Sequence, residues 1–149
     1  MKAVIQRVSR ASVTVEGKRV SEIGDGLLIL LGIGPEDNEE KARTMSKKIA
    51  ALRIFQDAED KMNLSVRDIG GSAIVVSQFT LYADCRKGNR PSFVKAGDPA
   101  HANKLYEYIL SELKNTYNID TKCGSFGADM QVSLINDGPF TVMLDSDEL

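Results

Sequence analysis

Apolar and polar positions change their period several times along this chain. Lys2–Ser9 alternates as a strand does, with Arg7 set among apolar neighbours. Ser12–Val15 and Lys18–Ile23 flank Glu16-Gly17 and read as a hairpin. After the turn Asp25-Gly26, the unbroken apolar run Leu27–Leu31 is too short for a helix and reads as a buried strand. Asp37 stands as N-cap with Glu40 three residues on. Ala42, Met45, Ile49 and Leu52 follow at helical spacing, which predicts a helix over Asn38–Leu52. Ile54-Phe55 is a short strand, Gln56–Asn63 a polar loop and Leu64–Arg67 a brief edge strand. Asp68–Gly71 then turns the chain into Ala73–Tyr82, an apolar strand with polar interruptions. Asp98-Pro99 opens a second helix, whose stripe of Ala102, Leu105, Tyr106, Ile109, Leu110 and Leu113 runs to about Asn115. Thr121–Phe126, Gln131–Ile135 and Phe140–Leu144 are the closing strands, with Asn136-Asp137-Gly138-Pro139 as a chain reversal between the last pair. The sum is an α/β fold of layered, barrel-like mixed sheets with two main helices packed on one face, in a single domain over 1–149.

Composition narrows the class. At 149 residues, 42% hydrophobic and 27% charged, the chain reads as an ordinary globular domain large enough to bury a core. No apolar run approaches the roughly 20 residues of a membrane helix, and the start MKAVIQRVSR lacks a signal-peptide core. Cys85 and Cys123 lack metal-ligand spacing, and with His101 as the single histidine no zinc site is expected. The expectation is a cytoplasmic protein with reduced thiols, no membrane contact and no metal. Gly32 and Gly34 precede a helix without the lysine or third glycine of a phosphate loop.

Net charge is −2, so contact with nucleic acid would have to be local. Arg86, Lys87, Arg90 and Lys95 crowd the loop that follows the strand Ala73–Tyr82. That loop reads either as a solvated charged surface or as a binding loop placed by a rigid sheet. Within the strand, Ser77, Gln78 and Thr80 are polar groups in an apolar setting. Each would cost about 1–3 kcal/mol if buried without a partner. Either the fold satisfies them, or they line a pocket. His101, in the first turn of the second helix, reads as a capping or surface residue ahead of a catalytic base.

The strand SQFTLY, the loop CRKGNRPSF, the turn NDGPF and the opening MKAVIQRVSRASV together closely resemble the D-aminoacyl-tRNA deacylase family, also called D-tyrosyl-tRNA deacylases. The likeness runs to Leu144. It implies a homodimer that needs no cofactor and hydrolyses the ester between a D-amino acid and the 3′-terminal adenosine of tRNA, clearing mischarged glycine as well. By that resemblance Ser77, Gln78, Phe79 and Thr80 line the aminoacyl-adenosine pocket. Gly138 and Pro139 are a Gly-cisPro motif inserted into the partner's pocket, and Arg7 holds the motif in place. Arg86, Lys87 and Arg90 face the tRNA end.

An aminoacyl ester is already activated. Hydrolysis therefore needs a positioned water, oxyanion donors and orientation more than a strong nucleophile. Thr80 has no adjacent base, so a positioning hydroxyl is preferred to a covalent role. A non-catalytic nucleic-acid module, a threonine-nucleophile hydrolase and a purely structural dimer remain as alternatives.

Overall fold

The computed structural model describes residues 1–149. Its elements are β1 (Lys2–Val15), β2 (Lys18–Ile23), β3 (Gly26–Gly32), α1 (Glu39–Ala51), β4 (Phe55–Gln56), β5 (Met62–Leu64), β6 (Ser72–Ser77), α2 (Pro99–Ser111), β7 (Asp120–Cys123) and β8 (Gln131–Asp145). β4 and β5 pair only with each other. The remaining strands form one mixed sheet ordered β2-β1-β3-β6-β7, with β8 on the other edge of β1.

β1 organises this sheet by changing partners. Its residues Lys2–Val8 pair with β3, its residues Ala11–Val15 pair with β2, and β8 follows it along almost its whole length. The pattern predicts two strands here, Lys2–Ser9 and Ser12–Val15; the structure has one. The handover falls at Ser9 and Arg10, which are exposed, and these polar positions mimic a strand break in the sequence.

Alternate residues of the central strands feed two separate cores. Ala3, Ile5, Leu27, Ile29, Leu31, Ala73 and Val75 face α1 and α2, which contribute Met45, Ile49, Leu105, Tyr106 and Ile109. Val8, Val13, Leu28, Ile74 and Val76 face the other way and meet one another inside the curled sheet. Burial on both faces is why β3 and β6 read as continuous apolar runs. Both helices cover the same face, and the sheet curls nearly into a barrel on the other. Lys122 Nζ donates to the Glu22 carbonyl at 2.8 Å, and Ser21 Oγ donates to the Cys123 carbonyl, so β2 and β7 approach across the gap.

Gly26 opens the parallel pairing of β3 with β6. A Cβ there would lie 1.8 Å from the Ser72 carbonyl oxygen, so no other residue fits without moving the strands apart.

The N-cap of α1 is Asn38, whose side chain accepts from the Lys41 N–H, and not Asp37. Asp37 turns inward to accept from the buried Met1 α-ammonium at 2.6 Å, an ion pair that outcompetes a capping role. Likewise Met62–Leu64 rather than Leu64–Arg67 is the short strand, because the Gln56–Asn63 segment folds back as a small hairpin with β4.

Candidate active site

β3 ends at Gly32 and its parallel neighbour β6 ends at Ser77, opposite Leu31. Gln78 still gives its N–H to the Leu31 carbonyl at 2.8 Å. Past that point no strand remains to pair with, and Phe79–Tyr82 coils into a single 3₁₀ turn. The expected strand Ala73–Tyr82 is thus a strand followed by a turn, and the polar interruption marks the junction. The first amides of the turn, Phe79 and Thr80, have no intrahelical carbonyl to bond.

A cavity of about 570 Å³ opens at this strand end, a volume in the range of small-molecule sites. Ser77, Gln78 and Phe79 form one wall, and Phe93, Gly97 and Ala102 another. Phe79 and Phe93 meet edge to face with centroids 5.1 Å apart. Both are exposed, which leaves aromatic surface available for a flat ring to pack on. Thr80 is not in the wall. It is exposed, and its Oγ1 accepts from Gln78 Nε2, so it orients the amide that does reach the cavity.

Sequence reasoning missed the third wall, Phe126–Met130 and Val132. The strand expected over Thr121–Phe126 stops at Cys123, and Phe126 belongs to the loop after it. The available signal was Gly127, which adopts φ +77° and lets the loop bend over the cavity.

Three hydrogen bonds behind the walls fix the backbone. Tyr106 donates from its hydroxyl to the Val75 carbonyl at 2.8 Å, and burial pushes that hydroxyl's pKa well above its usual range. Asp37 accepts from the Gly34 N–H at 2.6 Å, while the Ile33 carbonyl accepts from the Gly97 N–H at 2.8 Å. The Tyr82 hydroxyl lies 3.4 Å from Asp37 and is likewise shifted upward, by burial first and the carboxylate second.

Arg7, Gly138 and Pro139 come together at a different place. The sequence predicts a reversal between two strands; the structure shows one strand, β8, with a bulge. β1 steps from Val8 to Gln6 while β8 runs from Asn136 to Thr141, and the surplus residues bow outward opposite Arg7. The Gly138-Pro139 peptide is cis. Arg7 Nε donates to the Asp137 carbonyl at 3.0 Å, Nη1 donates to the Ile54 carbonyl at 2.7 Å, and the guanidinium lies over the Phe140 ring at 5.0 Å. Gly138 has φ +132°, and a Cβ there would sit 2.9 Å from Arg7 Nη2. Asp137, Gly138 and Pro139 are exposed, and none of them lines the cavity of its own chain.

The basic loop divides. Arg86 grips Asp84 through Nε and Nη2, and Lys95 Nζ reaches the same carboxylate at 3.2 Å. The Arg86 hydrogen bonds hold the Asp84 carboxyl well below the usual carboxylate range. Lys87 and Arg90 are exposed and form no ion pair. His101 gives its backbone N–H to Asp98 at 3.2 Å, while its Nε2 is buried without a partner. No three His, Cys, Asp or Glu side chains group as a metal site, and no helix is long and apolar enough to cross a membrane.

The model of the family described as D-Tyr-tRNA(Tyr) deacylase matches residues 4–145. A D-aminoacyl-tRNA deacylase of Thermosipho africanus is 56% identical over 98% of this chain and 97% of its own. One of Akkermansia muciniphila is also 56% identical, with the same coverage. Among solved structures, a c-Myc DNA unwinding element binding protein superposes with TM-score 0.92 at 46% identity, covering 97% of this chain and 98% of its own. A probable eukaryotic D-amino acid tRNA deacylase shares the fold alone, with TM-score 0.83 at 16% identity over 96% of this chain and 97% of its own.

Proposed function

The chain belongs to the D-Tyr-tRNA(Tyr) deacylase family and is a hydrolase, and from that premise we propose how its cavity handles the ester of a D-amino acid with the 3′-terminal adenosine of tRNA. The observation that carries this reading is the junction at Ser77–Phe79, which puts a hydroxyl, an amide and an aromatic ring on one wall of a cavity of about 570 Å³. The adenosine packs on the aromatic rim of Phe79 and Phe93. Ser77 and Gln78 orient the ester and the attacking water. Thr80 acts through Gln78, as a positioning residue and not as a nucleophile.

The oxyanion that forms as water attacks needs donors placed in advance, because donors that need not reorganise stabilise the transition state most. The amides of Phe79 and Thr80, free of intrahelical bonds, are suited to it. The ribose hydroxyl next to the ester assists proton transfer, so no protein base is required. Glycine, lacking a side chain, is accepted by the same geometry.

Selectivity comes from a second copy of the chain. The bulge of one subunit, Gly138 and Pro139 held by Arg7, enters the cavity of its partner, and its carbonyls face the α-carbon. An L side chain collides there, whereas a D side chain points outward. Steric exclusion can supply the roughly 5.5 kcal/mol that a 10⁴-fold discrimination demands. Exposure of the bulge and its absence from the chain's own cavity support the crossing over. Arg86, Lys87 and Arg90 lie toward the tRNA, and the protein works in the cytoplasm, where charged tRNA is used.

Incubation with D-tyrosyl-tRNA and, separately, L-tyrosyl-tRNA tests the reading by release of the amino acid. The D ester is lost and the L ester spared. Hydrolysis of both removes the account of selectivity, and tRNA binding without hydrolysis of either returns the protein to a binding module.

A further inference from the structure

A second cavity, of about 380 Å³, lies on the other side of the turn that walls the first. Phe79 and Phe93 face the larger cavity, while Tyr82 and Lys95, from the same two stretches of chain, face the smaller one. The smaller one is cationic. Lys2, Arg86 and Lys95 line it, and Asp84 is the single carboxylate among its lining residues. Asp84 is already committed to Arg86 and Lys95, which it fixes at one side of the cleft. Lys2 Nζ enters from β1, lies 5.1 Å above the Tyr82 ring and forms no ion pair. Of the carboxylates nearby, Asp147 is paired with Lys41 at 2.7 Å, Asp37 with the Met1 α-ammonium, and Asp145 is the cross-strand neighbour of Lys2 on β8.

We propose that Lys2, Arg86 and Lys95 form a subsite for the backbone phosphates of the single-stranded tRNA 3′ end, just 5′ of the terminal adenosine. The proposal rests on the reading that the larger cavity holds that adenosine. The intervening turn of Phe79–Tyr82 spans about 8 Å at about 2 Å per residue. At a stacked spacing of about 3.4 Å each, two to three nucleotides match that length. Nucleotides next to the reacting end offer few anions other than phosphate. Phosphate contacts carry no sequence information, which suits an enzyme that must accept many different tRNAs. Lys87 and Arg90 are not part of the cleft; they lie on either side of Gly88-Asn89 in the exposed part of the loop.

The test compares two substrates across Lys2→Ala, Lys95→Gln and the double variant. D-tyrosyl-tRNA carries the phosphates, and D-tyrosyl-adenosine does not. The ratio of kcat/KM for the tRNA substrate over the nucleoside substrate is expected to fall at least about tenfold in the double variant near 0.1 M salt. The plot of log kcat/KM against log salt should become shallower by about 0.7 for each cation removed. Lys2→Ala is the cleaner single change, because Lys2 holds no carboxylate of the loop. An unchanged ratio and slope overturn the subsite while leaving the deacylase reading intact. Equal losses on both substrates also overturn it, because they assign the lysines to shaping the cavity. If the unaltered protein hydrolyses neither substrate, the deacylase reading fails and the subsite falls with it.

Discussion

At the end of β6 the chain leaves the sheet because its neighbour β3 has stopped, whereas at the centre of β8 it leaves and then returns because β1 continues past it. The first departure is set by the core. Val75 and Val76 are buried on opposite faces and Tyr106 holds the Val75 carbonyl, so the positions of Ser77 and Gln78 follow from the packing behind them. The second departure is held by two side chains: Arg7 ties the Asp137 carbonyl to the Ile54 carbonyl, and Asn136 accepts from the Phe140 N–H at 2.8 Å and donates to Thr141 Oγ1 at 2.9 Å. A wall built on packing should tolerate change at its surface. A bulge tied down by two polar side chains should not.

The largest effect is expected at the bulge. Gly138→Ala forces a side chain into a left-handed backbone position and against Arg7. Discrimination between D- and L-tyrosyl-tRNA should drop at least about a hundredfold, equivalent to about 2.7 kcal/mol. Comparing the two deacylation rates measures it, and retained selectivity would move the chiral wall elsewhere. Arg7→Ala should weaken selectivity in the same assay. It also removes two charge-assisted hydrogen bonds from a side chain only 11% exposed, for a loss of about 2–3 kcal/mol in urea unfolding.

At the strand end the effects should be smaller. Thr80→Ala removes an exposed hydroxyl whose one hydrogen bond is with Gln78, so kcat should fall by less than about tenfold. Abolished turnover together with a trapped acyl-enzyme in the native protein would instead make Thr80 the nucleophile. Tyr106→Phe should be mildest, costing about 1 kcal/mol of stability, because the Val75 carbonyl keeps the Gly124 N–H at 3.2 Å. Activity should stay within a few-fold. If this change proved as damaging as Gly138→Ala, the contrast between the two regions would collapse.

Periodicity carried most of the fold. The apolar runs of β3 and β6, the stripes of both helices and the hairpin at Glu16-Gly17 were all legible, because burial leaves its period in the sequence. What could not be read were places where a partner decides the outcome. Ser9 and Arg10 resemble a break, yet β1 runs through them because β8 pairs on both sides. Gly138-Pro139 resembles a reversal, yet β1 keeps the strand going beyond it. Asp37 has the spacing of a cap, but a buried ammonium from the chain's start claims it. At the site, Ser77, Gln78 and Thr80 stood out as polar groups in an apolar strand, two of which reach the cavity, while Phe79 came only from the family resemblance. Phe126–Met130 did not, since an aromatic next to a glycine in a loop has no period to betray the cavity below it.

Cys85 lines the cationic cleft, while Cys123 lies on β7; both thiols are free and exposed. The molecule therefore carries a ready attachment point for a thiol-reactive fluorophore at the place where an RNA strand would pass. With Cys123 replaced by serine, a dye on Cys85 would turn the arrival and departure of a tRNA end into an optical signal, readable in real time without a radiolabelled amino acid.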